Sequence, residues 1–226
     1  MTHNKKKSNP LPIIAAYHLS ILQQMTAIQV IYIYVGQIVY KVYPSMASFL
    51  PILIHGEGII AIFFTIYIIN FLGRKTILQL GTMGICACLF ILSFSFYAIK
   101  DSPEGGDGVA SFLIVLALFG LRAFFSFSFA PIHPMYLAEV VEPKHVANGS
   151  LLMFVFQGTI SFAFPVLEHY FNGPAPVFLM FALYTLAAFF ANNYILVETK
   201  DKTEVEIHEE FALKYEKIMG KLGKTS

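Results

Sequence analysis

The sequence predicts an all-α membrane protein built from six transmembrane helices. Hydrophobic residues make up 57% of its 226 residues and charged residues only 13%, about half the charged fraction of an ordinary soluble domain. The apolar residues fall in long continuous runs rather than in the short alternating segments of a membrane β-barrel. Because a backbone in lipid must satisfy its own hydrogen bonds, each run is expected to be a helix.

Six runs are long enough to cross the hydrocarbon core, which takes roughly 20 mainly apolar residues per helix. They are expected at 11–39, 47–72, 76–99, 109–135, 147–171 and 175–197. The chain therefore divides into a basic N-terminal segment (1–10), a six-helix transmembrane domain (11–197) and a polar C-terminal tail (198–226).

The distribution of lysine and arginine in the short loops predicts which side of the membrane holds the two termini. With both termini on one side, that side carries most of the basic residues. It holds residues 5–7, Arg74, Lys75, Lys144 and the lysines of the tail, whereas the opposite side holds Lys41 and Lys100. Both termini are therefore expected on the cytosolic side, or on the matrix side of a mitochondrial inner membrane. The N-terminal stretch MTHNKKKSNP lacks the features of a removable signal peptide.

The composition argues against several function classes. The net charge is +1 and the only basic run near the N-terminus is Lys5–Lys7, so nucleic acid is not expected as a partner. Ser, His and Asp form no catalytic pattern. His55 and Glu57 are two residues apart, a spacing that does not bring two side chains to one metal from a regular helix. We therefore expect no enzyme activity, no metal site and no cofactor.

Four motifs occur in order along the chain. The first helix contains QQMTAIQVIYIY, the loop after the second contains NFLGRK, the fourth helix ends in APIHPMYLAEVVEP, and the sixth runs into VETKDKTEVEI. At this spacing they resemble the C-terminal six-helix half of a major facilitator superfamily sugar porter, over about residues 19–210. The resemblance implies a helical half that meets a second six-helix half, with a hexose bound between the two near the membrane midplane.

The resemblance places substrate-binding positions at four carboxamides. Family members hydrogen-bond sugar hydroxyls with a glutamine pair, matched here by Gln23 and Gln24, and with an asparagine whose position holds Gln29. A further asparagine, followed by tryptophan in the family, corresponds to Gln157 and Gly158. A carboxamide suits hydroxyl groups because it both donates and accepts hydrogen bonds. The alternative is that these glutamines hydrogen-bond neighbouring helices, as amides within membranes do.

Other positions of the family pattern have changed. The tryptophan that stacks on the sugar is replaced by Pro134, the proline before it by His133, and the leading glycine by Ala130. The chain contains no tryptophan at all. The aromatic platform for a sugar ring is therefore expected to be lost although the carboxamides persist.

The charge cluster that closes the inner gate in the family is only partly kept. Its loop acid is Asn70 here and its arginine is Val146, whereas Arg74, Glu139 and Glu198 are retained. We expect Arg74 and Glu139 to pin the loop after the second helix to the end of the fourth. The alternative is that both are solvated at the headgroup level. Loss of one acid and one base weakens a salt-bridge switch.

Arg122 is a charged residue deep in the fourth predicted helix. It lies roughly 20 Å from the outer surface at a rise of 1.5 Å per residue, where a charge without a partner costs at least about 2.5 kcal/mol. Glu57 in the second helix lies at a similar depth, so we predict an intramembrane Arg122–Glu57 pair. An acid from a partner protein is the rival, and snorkelling of Arg122 to an interface is a third alternative.

The tail from Thr203 onward has the pattern of an amphipathic helix. Thr203 and Glu206 have the spacing of a capping box. Apolar residues then recur at helical spacing, at Ile207, Phe211, Tyr215, Ile218 and Leu222,. This helix is expected either to lie along the membrane surface or to dock on a neighbour.

These features predict a half-size, sugar-porter-like membrane protein that is a transport-inactive accessory or structural subunit of a larger complex. Unpaired polar groups cost several kcal/mol in lipid, so other membrane protein subunits are expected to cover the glutamine-bearing face. The alternative is a sugar or polyol transporter half that acts as a homodimer or with a partner half. The mitochondrial inner membrane is the leading hypothesis for location, without a supporting motif. A truncated piece of a full transporter is a further alternative, although Met1 and the lysines after it favour a natural N-terminus.

Overall fold

The computed structural model describes residues 9–100 and 108–222 of the chain. Regular secondary structure in these two ranges is helical only. The helices are α1 (Leu11–Met25), α2 (Ile28–Val42), α3 (Leu50–Ile68), α4 (Arg74–Lys100), α5 (Gly108–Phe127), α6 (Phe129–Val140), α7 (Pro143–Tyr170), α8 (Ala175–Ile195) and α9 (Glu204–Leu222). A short 3-10 turn, Pro44–Met46, precedes α3.

Six helical spans in the described part of the chain are long and apolar enough to cross a membrane. The helices α3, α4, α7 and α8 each form one span, whereas α1 with α2 and α5 with α6 form the other two. The predicted all-α membrane protein with six transmembrane helices is confirmed. Within the first and the fourth span the helix is interrupted once.

The first span breaks between α1 and α2, beside the glutamine pair. Ala27 adopts a left-handed conformation with φ of 61°, which is unfavourable for a residue with a side chain. The hydroxyl of Thr26 donates to the carbonyl of Gln23 at 2.7 Å, and the amide of Ala27 donates to the carbonyl of Gln24 at 3.2 Å. These bonds satisfy part of the last turn of α1 and end that helix.

The fourth span breaks at Ser128, between α5 and α6, three residues before a proline. Pro131 has no N–H, so the carbonyl of Phe127 lacks its usual donor four residues on. The hydroxyl of Thr65 on α3 donates to that carbonyl instead, at 2.9 Å. A side chain of a neighbouring helix thus stabilises the break and ties α3 to the end of α5.

Pro165 within α7 creates a similar gap in its own helix. The carbonyl of Ser161 loses its intrahelical donor because a proline stands four residues later. The hydroxyl of Tyr34 on α2 donates to that carbonyl at 2.7 Å. This hydrogen bond joins α2 to α7 at a point where the sequence alone indicates only a kink.

The core lies around α4, which packs against both α5 and α8. Small residues allow these helices to approach closely, as in other membrane bundles. A side-chain carbon on Gly81 would collide with Ser128, and one on Gly84 would collide with Phe124. The close crossing of α4 with the junction of α5 and α6 therefore depends on both glycines.

Two helices, α3 and α7, contribute little to this core. Only Ile54, Gly58 and Thr65 of α3 are buried, and only Gly149, Ile160 and Phe164 of α7. Many of their apolar side chains are exposed within this chain, among them Ile60 and Phe63 of α3 and Phe162 and Val166 of α7. These two helices therefore present the largest surfaces for contact with lipid or with another membrane protein.

The amphipathic C-terminal helix α9 docks on its own chain. Thr203 and Glu206 form the predicted capping box: the amide of Thr203 donates to the Glu206 carboxylate at 2.7 Å, and the amide of Glu206 contacts the Thr203 hydroxyl at 3.4 Å. Ile207 and Phe211 are buried, and α9 packs against α1 and α6. The helix therefore packs on its own chain, while contact of its exposed residues with the membrane surface or with another protein stays a prediction.

Candidate functional site

The glutamine pair lies in the last turn of α1, next to the break. Gln24 is only 4% exposed, and Gln23 is half-buried. The side-chain oxygen of each is buried and accepts no hydrogen bond within the described residues. A buried oxygen left without a donor costs about 1–3 kcal/mol. The pair therefore needs donors that the described part of this chain does not supply.

The break itself places polar backbone groups inside the membrane span. The last carbonyls of a helix have no intrahelical partner, and those of α1 are only partly satisfied by side chains. The hydroxyl of Thr185 on α8 contacts the carbonyl of Met25 at 3.4 Å. Broken helices of this kind form solute and ion sites in membrane transporters, so the end of α1 is the candidate site of this chain.

The other two carboxamides come from neighbouring helices. Gln29 lies in the first turn of α2 and Gln157 near the middle of α7, and both side chains are half-buried. The helix α7 packs against α1 and α2, so the four glutamines lie on three mutually adjacent helices. Gln24 alone among them is buried.

The sugar-stacking position carries no aromatic ring. Pro134 is exposed, and His133 points into the contact between α6 and α1, where its Nε2 lies 3.2 Å from the hydroxyl of Ser20. His133 is 5% exposed, and Ala130 is half-buried. His133 thus packs in the protein interior, and Pro134, at the platform position itself, provides no aromatic surface for a sugar ring.

The predicted contact between Arg74 and Glu139 is present. Arg74 Nη2 lies 3.4 Å from Glu139 Oε1, and both side chains are partly shielded from solvent. Arg74 Nε and Glu139 Oε2 are buried and have no partner among the described residues. Val146, at the position of the missing arginine, packs against the hydrophobic core. The ion pair joins the start of α4 to the end of α6, while two of its polar atoms remain unpaired.

The remaining members of the inner cluster form a second group of contacts. The carboxylate of Glu198 packs directly against Gly73, where a side-chain carbon would collide with it. It also accepts hydrogen bonds from the amides of Thr199 and Lys200, at 3.1 and 3.2 Å. The ammonium of Lys200 donates to the backbone carbonyl of Asn70 at 2.7 Å. Lys200 thus reaches the α3–α4 turn although the acid expected there is an asparagine.

Arg122 is buried and makes contacts other than the predicted ion pair. It is 9% exposed, and its Nη1 donates to the hydroxyl of Ser126, one turn later. Its guanidinium lies over the ring of Tyr32, 5.0 Å from the centroid, a favourable cation–π distance. It also packs on Gly58, where a side-chain carbon would lie 2.5 Å from Nη2.

The Arg122–Glu57 ion pair is therefore a correction to the sequence-based prediction. Within residues 9–100 and 108–222, no carboxylate oxygen lies within 4 Å of the Arg122 guanidinium. Glu57 Oε1 is buried and unpaired in the same part of the chain. The physical reason is that Gly58 lets the guanidinium rest on the α3 backbone, while Tyr32 and Ser126 hold it there.

Comparison with known protein families identifies the family of this chain. The model of the family described as "Sugar (and other) transporter" matches residues 2–211. The chain belongs to this sugar transporter family. The resemblance drawn from the four motifs is thereby confirmed. The family is one of transporters.

Individual members of the sugar transporter family show moderate similarity to this chain. It is 25% identical over 207 residues to solute carrier family 2, facilitated glucose transporter member 4, of Homo sapiens. It is 26% identical over 218 residues to probable polyol transporter 6 of Arabidopsis thaliana. It is 25% identical over 215 residues to the facilitated trehalose transporter Tret1 of Apis mellifera ligustica.

The matches cover most of this chain but less than half of each relative. They span 88%, 93% and 92% of this chain, and 39%, 44% and 41% of the glucose, polyol and trehalose proteins respectively. This sugar-transporter-family chain thus has about two fifths of the length of these relatives.

Sequence reasoning missed three residues that shape the site of this family member. Tyr32 covers Arg122, Tyr34 bonds to α7, and Lys200 bonds to the α3–α4 turn. The two tyrosines lie in the quoted QQMTAIQVIYIY motif and Lys200 in VETK, so the motifs marked the positions. Their contacts could not be read because each crosses between helices far apart in sequence.

Proposed function

We propose that this sugar-transporter-family chain is a transport-inactive accessory subunit, whose glutamine-bearing face is covered by another membrane protein. The observation that carries the proposal is the state of the glutamine pair. Gln23 and Gln24 each keep a buried oxygen that has no donor among residues 9–100 and 108–222, while Pro134 is exposed at the position where the family stacks a sugar ring. A partner's N–H or O–H groups satisfy the two oxygens without any need for an aromatic platform.

The exposed faces of α3 and α7 support this proposal. Both helices are largely unburied within the chain, and α7, which carries Gln157, packs against α1. A polar carboxamide on an otherwise apolar surface is more stable against a protein than against lipid tails. The covering protein is therefore proposed to contact α7 and the end of α1 together.

Photo-crosslinking from α7 tests what covers this face. A photoreactive amino acid at Gln157, in protein extracted from its native membrane in a mild detergent, is expected to form a defined adduct with a different membrane protein. The matched control is the same amino acid at Phe190 of α8, which is 58% exposed and is expected to label lipid or detergent. An adduct at Gln157 with a second copy supports the two-half transporter instead, and lipid adducts alone contradict the proposal.

The second candidate is a solute-binding half of a sugar or polyol transporter. The helix break at Ala27, directly after the glutamine pair, favours it, because unwound backbone beside carboxamides is a solute-binding arrangement. Thermal unfolding in detergent with a hexose, a polyol or a disaccharide tests this function. A rise in Tm with ligand concentration that Gln24→Ala abolishes, and Gln37→Ala does not, would establish binding and overturn the inactive role. Gln37 is an exposed glutamine of α2 and serves as the matched control.

For location we propose the mitochondrial inner membrane, with both termini on the matrix side. The distribution of charge supports the orientation alone: Arg74, Lys75 and Lys144 lie in loops on the side of the termini, which the positive-inside rule assigns to the cytosol or matrix. No motif of the sequence supports the choice of membrane. Fractionation of cells that express the tagged full chain, followed by protease protection of the C-terminal tag, tests both parts. Recovery in another membrane contradicts the location, and a tag cleaved in intact mitoplasts contradicts the orientation.

A further inference from the structure

A large groove lies between the start of α1, the turn from α6 to α7, and α9. Its volume is about 1060 Å³, and it is lined by the ends of three membrane spans together with α9. Its floor is apolar and includes Ile13, Val141, Val205 and Leu213. Val205 and Leu213 are 66% and 69% exposed, although they belong to a helix that is otherwise polar on its outer side. An exposed apolar strip of this kind is typical of a surface that another segment covers.

The groove is also acidic along the edge formed by α9. Glu204, Glu209 and Glu216 line it. Neither Glu209 nor Glu216 forms an ion pair with a described side chain, and the contact of Glu204 is with His208 at 4.0 Å. These carboxylates therefore give the groove a negative charge that the described residues do not neutralise.

The opposite edge of the groove contributes less charge. Glu142 lies there, but its carboxylate pairs with Lys144 at 2.7 Å, and the hydrogen bond from Lys144 holds the pKa of Glu142 below its usual range. The ring of His145 is held by the hydroxyl of Tyr17 at 3.0 Å. The unbalanced charge lies on α9, which fits an occupant that carries positive charge on one side.

The segment 1–8 is basic and joins the described chain at the groove. It is connected to Asn9, which itself lines the groove, and it contains Lys5, Lys6 and Lys7. Lys5 is four residue steps from Asn9, a reach of about 14 Å in extended chain. Lysine stems cover apolar surface while their ammonium groups meet carboxylates, and this combination matches the floor and the acidic edge.

We propose that segment 1–8 docks in this groove, with Lys5–Lys7 against Glu209 and Glu216. The groove is thereby an intramolecular docking site that joins the start of α1 to α9. Docking covers Val205 and Leu213 and neutralises the acidic edge. It also strengthens the attachment of α9, whose own buried contacts are with α1 and α6.

Disulfide crosslinking in the full chain, in a neutral detergent, tests the proposal. Lys6→Cys with Ala212→Cys is expected to form an intramolecular disulfide at least about fivefold faster than Lys6→Cys with Lys217→Cys. Ala212 lines the groove, whereas Lys217 lies on another side of the same helix and is also exposed. The native Cys86 and Cys88 are buried, and the control pair measures any background from them.

Protection from trypsin tests the charge complementarity separately. Exposed ion pairs each contribute a small factor, so the double variant Glu209→Gln and Glu216→Gln is expected to raise the cleavage rate after Lys5–Lys7 roughly threefold to tenfold. The control Asp201→Asn with Glu210→Gln changes the net charge equally, outside the groove, and is expected to leave the rate unchanged. Added salt is expected to remove the protection in the wild type.

Three results would overturn the proposal. Equal crosslinking of the Ala212 and Lys217 pairs would show that the segment does not lie in the groove. A disulfide between two chains would assign the groove to a second copy. Protection that requires anionic vesicles, and that ignores Glu209 and Glu216, would place the lysines on a lipid surface instead.

Discussion

Single carbonyl groups determine how the prolines of this protein are tolerated within its membrane spans. Pro165 leaves the carbonyl of Ser161 without a donor, and the hydroxyl of Tyr34 replaces the missing N–H. In the same way the hydroxyl of Thr65 serves the carbonyl of Phe127. These bonds lie between helices that the apolar pattern treats as independent, so they are specific determinants of how α2, α3, α5 and α7 assemble.

Removal of the Tyr34 hydroxyl tests this role. Tyr34→Phe is expected to destabilise the protein by about 0.5–2 kcal/mol, the range of hydrogen bonds in membrane proteins, because the carbonyl of Ser161 is left unpaired. The measurement is thermal unfolding in detergent. Tyr40→Phe, at a tyrosine that is 63% exposed, is the control. An unchanged Tm for Tyr34→Phe would show that water or another group serves the carbonyl.

Gly58 is the residue that fixes the position of Arg122. A methyl group there collides with the guanidinium, so Gly58→Ala is expected to lower the Tm of the wild type and to cost much less in an Arg122→Leu background. Gly56→Ala is the matched control, because nothing lies within 4 Å of a side-chain carbon at Gly56. A double-mutant cycle measures the coupling. Additive effects would contradict the packing of Arg122 on α3.

At the scale of secondary structure elements, the positions of the helices could be predicted from the sequence, but the breaks within two membrane spans could not. The six spans follow from apolar runs of sufficient length, and α9 follows from the capping pair Thr203 and Glu206 with its periodic apolar residues. The break at Ala27 could not be predicted, since the surrounding stretch contains neither glycine nor proline. The break at Ser128 has a signal in Pro131, but the compensating bond from Thr65 depends on helix packing that no local pattern reveals.

The candidate site likewise contains contacts that the sequence predicts and contacts that it does not. The family motifs identified Arg74 and Glu139 in the sequence. Their ion pair forms because the start of α4 lies against the end of α6. Depth in the membrane alone suggested Arg122 and Glu57, and this prediction was wrong. Depth in the membrane does not specify towards which neighbouring helix the side chain of Arg122 points. Tyr32 on α2 provides a contact that competes with Glu57.

The attachment of α9 is expected to depend on pH through Lys214. Its ammonium donates to the carbonyl of Leu196, and burial together with the nearby Lys75 lowers the pKa of Lys214 to about 8. The undocked lysine titrates near 10.4, so the docked form binds fewer protons between these two values. Docking is therefore expected to strengthen as the pH rises from about 8 to about 10.4, and to be constant below that range.

Spin-label mobility on α9 measures this effect. A label at Lys217→Cys is expected to become less mobile as the pH rises through this interval, and the additional change Lys214→Met is expected to remove the dependence. An increase in mobility with pH would show that Lys214 stabilises docking in its charged form. The direction of the change therefore decides the sign of its contribution.

At the scale of the whole molecule, the protein is a six-helix body of the sugar transporter family with two sparsely packed helices and an unsatisfied polar site. The helices α3 and α7 bury few of their own side chains, and Gln23 and Gln24 hold oxygens without donors. The chain has about two fifths of the length of its relatives. These three facts raise one question, which is what contacts α3, α7 and the glutamine pair in the membrane.

Native gel migration after mild detergent extraction, with mass spectrometry of the proteins that travel with the chain, answers this question most directly. The proposed accessory role predicts co-migration with a fixed set of other subunits in a large complex. Migration at about twice 25.3 kDa plus detergent, with this chain as the sole protein present, would contradict that role and support a two-half transporter.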